Sequence, residues 1–335
     1  MKYVKLGNTG MDVSKICLGC MSFGTPGPEN GVFPWARTFE DAKPIFKKAV
    51  DLGINYFDTA NIYQMGSSEE ITGRLIREFG LNRDDIVVAT KISMDMRPGR
   101  PNGRGLSRKE IMNEIDKSLK RLGMDYVDLY QIHRPDPNTP FEETMEALHD
   151  VVKSGKARYI GACTMYTWHF QKMQNIAEKH GWTKFVTMQA QYNLMYREEE
   201  REMIPYCRDS KIGFVSWSPL AGGRLAHPWG TTTKRNKVDN VSPVVWGRSL
   251  KQDLPVIENL QKIAAQRGVS MAQEALAWML SKPYITAPIV GSTDPKHVEE
   301  AVAALDIVLD ADEIAALEAP YTPHAVADNN GFLVD

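Results

Sequence analysis

Ile54-Asn55-Tyr56-Phe57-Asp58-Thr59-Ala60-Asn61-Ile62-Tyr63, Ile86-Val87-Val88-Ala89-Thr90-Lys91 and Val127-Asp128-Leu129-Tyr130-Gln131-Ile132-His133 each begin as a short apolar run and end on polar chemistry. β-Branched and aromatic residues dominate the runs, which suits strands. Asp58, Tyr63, Lys91 and His133 fall at or just past the strand ends. In a parallel α/β barrel all strand C-termini open onto one face, and that face carries the chemistry. A carboxylate, a phenol, an ammonium and an imidazole gathered there make a candidate apparatus for proton delivery.

A free tyrosine titrates near about 10 and is a poor acid at neutral pH unless its phenolate is stabilised. A lysine ammonium within about 4–6 Å does that. Asp58 can hold such an ammonium charged and aimed. His133 can donate a hydrogen bond or a proton to a carbonyl oxygen. Together the four fit general-acid catalysis at a carbonyl. Any one of them alone reads as well as a buried ion pair or a polar strand end; four in register on three successive strands do not.

Working outward, strand-like runs fall at 16–18, 56–58, 86–91, 127–133, 157–163, 187–191, 213–218 and 285–290. Helix-period segments separate them, including 38–52, 67–78, 107–122, 141–154, 167–180 and 198–209. Repeated βα units of this kind predict an α/β fold, a (β/α)8 TIM barrel. Ile111, Ile115 and Leu119 carry the i, i+4 spacing of a helix packed on one face. Ser107, three residues before Glu110, predicts a capping box. A doubly wound Rossmann sheet would need Gly-x-Gly-x-x-Gly straight after its first strand. Leu18-Gly19-Cys20-Met21-Ser22-Phe23-Gly24 lacks that spacing.

At 335 residues, with 43% hydrophobic and 24% charged residues, the chain has the make-up of one globular barrel domain, with a tail from about residue 319 to 335. A formal net charge of −2 gives no electrostatic reason to expect nucleic acid or an anionic membrane. No apolar run approaches a membrane span of about 18 residues. Met1-Lys2-Tyr3-Val4-Lys5 carries no signal-peptide core, which favours the cytoplasm. Cys17 and Cys20 form a lone Cys-x-x-Cys without further ligands at zinc spacing, and read as two reduced thiols by the first strand. Long loops are expected after the first and seventh strands, at 22–37 and 219–255. The first carries Phe23, Phe33 and Trp35; the second carries Arg224, His227, Trp229, Lys234, Arg235, Lys237, Trp246 and Arg248.

From about residue 3 to about residue 318 the chain resembles the aldo-keto reductases, and within them the bacterial and fungal branches. Asp58-Thr59-Ala60-Asn61-Ile62-Tyr63 with Gly66-Ser67-Ser68-Glu69-Glu70, Thr90-Lys91 and Gln131-Ile132-His133 match the family's catalytic tetrad. Leu6-Gly7-Asn8-Thr9-Gly10 is similar to its N-terminal β-hairpin, and Ser216-Trp217-Ser218-Pro219-Leu220-Ala221-Gly222-Gly223-Arg224-Leu225 to its seventh-strand loop. The resemblance implies a nicotinamide cofactor held by the ends of the fifth to eighth strands. Cys163 and Thr164 stand where relatives place Ser and Asn for the carboxamide, Gln189 matches the carboxamide glutamine, and Trp217 takes the place of the stacking aromatic. Ser218, Leu220, Gly222 and Arg224 are expected as further cofactor contacts, the loop's basic groups serving a pyrophosphate. Gly291, Ser292, Lys296, His297 and Glu300 match the adenosine end. Ser292 and Lys296 favour NADPH/NADP+, with NADH also admitted, although relatives' Lys and Arg are replaced by Gly291 and His297.

The expected activity is therefore NADP(H)-dependent reduction of an aldehyde or ketone to an alcohol. A hydride passes to the carbonyl carbon and Tyr63 protonates the oxygen. Met21, Phe33, Trp35 and Trp229 are expected to line an apolar or aromatic substrate pocket. Two other readings remain: a Schiff-base aldolase using Lys91, and a regulatory subunit that senses nucleotide on the same fold.

Overall fold

The computed structural model describes residues 1–27, 33–232, 237, 238 and 250–326. Lys234, Arg235, Trp246 and Arg248 of the seventh-strand loop lie outside them. Two short strands, β1 (Tyr3–Lys5) and β2 (Asp12–Ser14), pair antiparallel as the expected hairpin. Eight parallel strands then close a barrel: β3 (Cys17–Gly19), β4 (Tyr56–Asp58), β5 (Val87–Ile92), β6 (Val127–Ile132), β7 (Ala157–Cys163), β8 (Phe185–Gln191), β9 (Gly213–Trp217) and β10 (Ile285–Gly291). They run around the barrel in sequence order, and β10 pairs with β3 to close it.

Ten helices are described: α1 (Phe39–Asp51), α2 (Ser67–Glu78), α3 (Arg108–Leu122), α4 (Phe141–Lys153), α5 (Thr167–His180), α6 (Met203–Asp209), α7 (Leu250–Arg267), α8 (Met271–Leu280), α9 (Pro295–Ala303) and α10 (Ala311–Glu318). The expected 198–209 helix is split. A 3-10 turn at Glu198–Glu200 precedes α6, which starts only at Met203. Pro205 falls in the first turn of α6, where a proline costs least. Ser107 does cap α3, accepting from the Glu110 N–H at 3.3 Å, but the reciprocal half of the box is not made. The Glu110 carboxylate turns instead to Arg97, at 3.1 Å.

Strand alternation sorts the core into two layers. Phe57, Val88, Tyr130 and Ile132 face the helices, in one large cluster with Ile111 and Ile115 of α3. Tyr56, Val87, Ala89, Leu129, Val215 and Ala287 fill the barrel interior. Leu6 and Val13 of the hairpin join this inner layer and close the N-terminal mouth. Gly7 makes that closure possible: its φ is +60°, and a Cβ there would come within 2.6 Å of Val186 O and Gly213 N. With one mouth plugged, the polar interior positions are left to the other.

Cys17 and Cys20 are both buried free thiols, Cys17 in the inner layer and Cys20 in the outer. Burial pushes the Cys20 thiol up to about 12, so it stays protonated and inert. No group of metal-ligating side chains occurs among the described residues. None of the described helices is long and apolar enough to cross a membrane.

Candidate active site

Asp58 ends β4 and Lys91 is the fifth residue of β5, both pointing into the barrel at its C-terminal mouth. Lys91 is fully buried and Asp58 is 2% exposed. The Lys91 ammonium donates to Asp58 Oδ1, to Thr59 O at 2.9 Å and to the Tyr63 hydroxyl at 3.3 Å. Burial works against the charge, but Asp58 and Tyr63 outweigh it and hold the ammonium above the ordinary lysine range. His133 follows β6, is 8% exposed, and meets the Tyr63 ring edge-on with centroids 5.7 Å apart. The four tetrad positions are thus brought together.

The turn carrying Tyr63 is fixed by its backbone. The ladder between β4 and β5 runs on past the strand end, with Thr59 N on Ala89 O at 2.9 Å and Asn61 N on Lys91 O at 3.3 Å. Asn61 Nδ2 donates sideways to Glu114 of α3 at 3.1 Å, and the Ser68 hydroxyl at the start of α2 donates to Cys20 O at 2.7 Å.

Two findings depart from the sequence reading. Tyr63 is not brought below the ordinary phenol value: burial raises it and wins over the lowering by Lys91. Asp58 also has more partners than expected. Its Oδ2 accepts from Gln131 Nε2 and from Gln189 Nε2, each at 3.0 Å. Gln189 is therefore anchored to the tetrad, with only its carbonyl side left over for a carboxamide. Gln131 was assigned no role by the sequence, yet its parity with Leu129 and His133 puts it inside the barrel, opposite Lys91 in the strand register. Burial, with Lys91 and Arg134 nearby, drives the His133 imidazole well below its ordinary value, so the ring is neutral. Its Nδ1 has no partner among the described residues.

Phe33, Trp35 and Ala36 form a separate apolar cluster against which Met21 and Tyr63 pack. The Phe33 ring lies 5.3 Å from that of Trp35 and 6.3 Å from that of Tyr63, centroid to centroid. Three of the four expected pocket residues are thus together beside the phenol. Trp229 is not among them; it stands 46% exposed.

The expected cofactor residues lie along the same rim. The Trp217 indole N–H donates to Thr164 Oγ1 at 2.9 Å, and Thr164 N bonds Gln189 O at 2.9 Å. Cys163 is buried. Ser218, Ala221 and Gly222 all have positive φ, and Asn193 Nδ2 donates to Ser218 O at 3.0 Å, so the segment through Leu220 turns tightly. Arg224 lies 3.8 Å from the buried Asp253 carboxylate. Ser292 is nearly buried and its hydroxyl donates to Asp294 O at 2.6 Å, so its proton is already committed. Asp294 caps α9 through Lys296 N at 2.9 Å, while the Lys296 and His297 side chains are exposed and Glu300 is half-buried.

The sequence model of the Aldo/keto reductase family matches residues 15–321. The chain is 43% identical to a versiconal hemiacetal acetate reductase of Aspergillus parasiticus, over 97% of this chain and 98% of that one. It is 42% identical to a candidate aryl-alcohol dehydrogenase of Schizosaccharomyces pombe, over 96% of each, and 38% identical to an aldo-keto reductase of Alternaria alternata, over 97% and 93%. With a closed eight-stranded barrel, a polar cluster at its open mouth, and a match that begins beside the first barrel strand and ends beyond α10, this chain belongs to the aldo/keto reductase family.

Proposed function

We propose that the protein is an NADP(H)-dependent oxidoreductase that reduces an aldehyde or ketone to an alcohol, with Tyr63 as the general acid. The observation that carries this reading is the buried Lys91 ammonium bridging Asp58 and the Tyr63 hydroxyl. Tyr63 keeps its proton at neutral pH and can deliver it to a carbonyl oxygen. Lys91 then stabilises the phenolate left behind. Asp58, itself held by Gln131 and Gln189, keeps Lys91 charged and aimed. A neutral His133 carries one ring N–H, which orients the same oxygen.

The residues present fit a nicotinamide dinucleotide. Trp217 offers a ring face braced by Thr164. Gln191 Oε1, on the residue paired with Trp217, is a buried acceptor without a partner among the described residues, and suits a carboxamide N–H. A Cβ at Gly291 would meet nothing, so a ligand can approach that backbone closely. Arg224 and the exposed Lys296 and His297 supply positive or polar groups for phosphates. The bound nicotinamide supplies the hydride. Met21, Phe33 and Trp35 beside Tyr63 support an aromatic substrate class, in keeping with the aryl-alcohol name of one relative.

A Schiff-base role for Lys91 would need a neutral amine, and its pairing with Asp58 opposes that. The deciding experiment follows NADPH absorbance with a panel of aldehydes and ketones, with Tyr63→Phe as control. Consumption by the wild type alone supports the reading. Cofactor binding without turnover of any carbonyl would overturn it in favour of a nucleotide-sensing subunit.

A further inference from the structure

Tyr63 is followed by two non-glycine residues in the left-handed region, Gln64 (φ 49°, ψ 41°) and Met65 (φ 53°, ψ 38°), before Gly66 leads into α2. Side chains with a Cβ avoid this conformation, so something specific must hold it. The Gln64 side chain shows what. It is 1% exposed, and its single amide serves both backbone polar groups of Phe33: Nε2 donates to Phe33 O at 2.7 Å, and Oε1 accepts from Phe33 N at 3.3 Å. One side chain thus takes the part of a neighbouring strand. Gly24 makes room for it, since a Cβ there would overlap Gln64 Cγ. A second tie, Thr25 N to Ser67 Oγ at 3.2 Å, joins the same two loops.

Phe33 in turn presents its ring to Tyr63 and Trp35. The segment that carries the phenol and the segment that carries the aromatic wall are therefore locked to one another by an amide whose hydrogen bonds go to Phe33 rather than to Lys91 or Asp58. We propose that Gln64 is a specificity-determining positioning residue, whose clamp on the Phe33 backbone sets the width of an aromatic-carbonyl pocket over Tyr63. The inference rests on the reading of Tyr63 as the acid only for its kinetic readout; its binding readout is independent of turnover.

Gln64→Gly tests it directly, because glycine accommodates the left-handed backbone and removes the side chain together with its amide. Gln64→Asn is a second variant that tolerates the same conformation but is one methylene too short to span to Phe33. Losing two net hydrogen bonds that order the wall should lower the benzaldehyde-over-propanal ratio of kcat/KM by about tenfold in both variants, with the loss in KM rather than kcat. Benzaldehyde binding, read as quenching of tryptophan fluorescence in the cofactor complex, should weaken by a similar factor while NADPH affinity holds. Phe33→Ala should reproduce the effect, and Gln64→Gly added to Phe33→Ala should add little more. An unchanged selectivity ratio and unchanged benzaldehyde binding, in variants that melt cooperatively, would overturn the clamp. So would an equal fall in kcat for both aldehydes, or full additivity with Phe33→Ala. If the wild type turns over no carbonyl of the panel, the reductase reading fails, and the binding comparison still decides the clamp.

Discussion

Tyr63 is the residue on which the proposed chemistry turns, and its environment sets the expected pH behaviour. Only the protonated phenol can donate, and burial holds its pKa above the ordinary value. Carbonyl reduction should therefore stay level through neutral pH and fall only as pH rises through that raised pKa; alcohol oxidation, which needs the phenolate, should rise over the same range. Lys91→Met removes the cation that opposes the shift, so the falling limb should move to still higher pH, as pH–rate profiles of wild type and variant would show. An unmoved limb would uncouple the two residues. Tyr63→Phe keeps the ring and deletes the proton, and should cost roughly 10²–10⁴ in reduction rate while leaving cofactor affinity within a few fold. At the same scale, Gln131→Leu leaves Asp58 Oδ2 with Gln189 as its remaining amide partner. Under-serving a buried carboxylate should lower stability by about 1–3 kcal/mol in urea unfolding.

At the scale of elements, the most legible features are those decided within a few residues. The helices at Ser67–Glu78 and Thr167–His180 and the strands at Tyr56–Asp58 and Ala157–Cys163 begin and end where apolar period and flanking residues put them. Ser107 was legible as the cap of α3, and Ser107→Ala should cost about 1 kcal/mol, measurable as a lowered unfolding midpoint. The fate of Glu110 was not legible. It lies only 1% exposed on the face that carries Ile111 and Ile115, and Glu114 beside it is equally buried. A binary pattern marks both as surface positions, because it cannot anticipate Arg97 folding back from the loop before α3 or Lys117 and Arg121 closing over Glu114. The split before α6 had its signal in Pro205, which costs less in the first turn of α6 than inside a helix running on from 198.

For the whole molecule, barrel closure brings the first and last strands side by side, and with them the loop after β3 and the turn before α9. Ser22 Oγ donates to Ser292 O at 2.7 Å across that seam. The proposed adenosine end therefore depends on the intact ring of strands. There Ser292 has spent its proton on the turn, and the Asp294 carboxylate faces the start of α9, leaving Lys296 as the main positive group for a 2′-phosphate. NADPH should bind more tightly than NADH by about one to two orders of magnitude, the worth of one charge-assisted hydrogen bond. Lys296→Ala should weaken NADPH and spare NADH in fluorescence titrations. Equal losses would show that Lys296 does not read the phosphate.

Alternation of period two, helix caps and strand-end polarity are local properties, and through them the chain by itself determined the eight βα units, the shared mouth and the positions of Asp58, Tyr63, Lys91 and His133. The partners of those groups are not local. Gln189 reaches Asp58 across 131 positions of sequence, Gln131 across 73, and Gln64 reaches back to Phe33 across 31. Only tertiary structure decided which amide meets which carboxylate or backbone group. It also decided that burial outweighs Lys91 at the Tyr63 phenol. Desolvation and hydrogen bonding depend on separation in space, and spacing along a chain specifies that only within one element and its nearest turn.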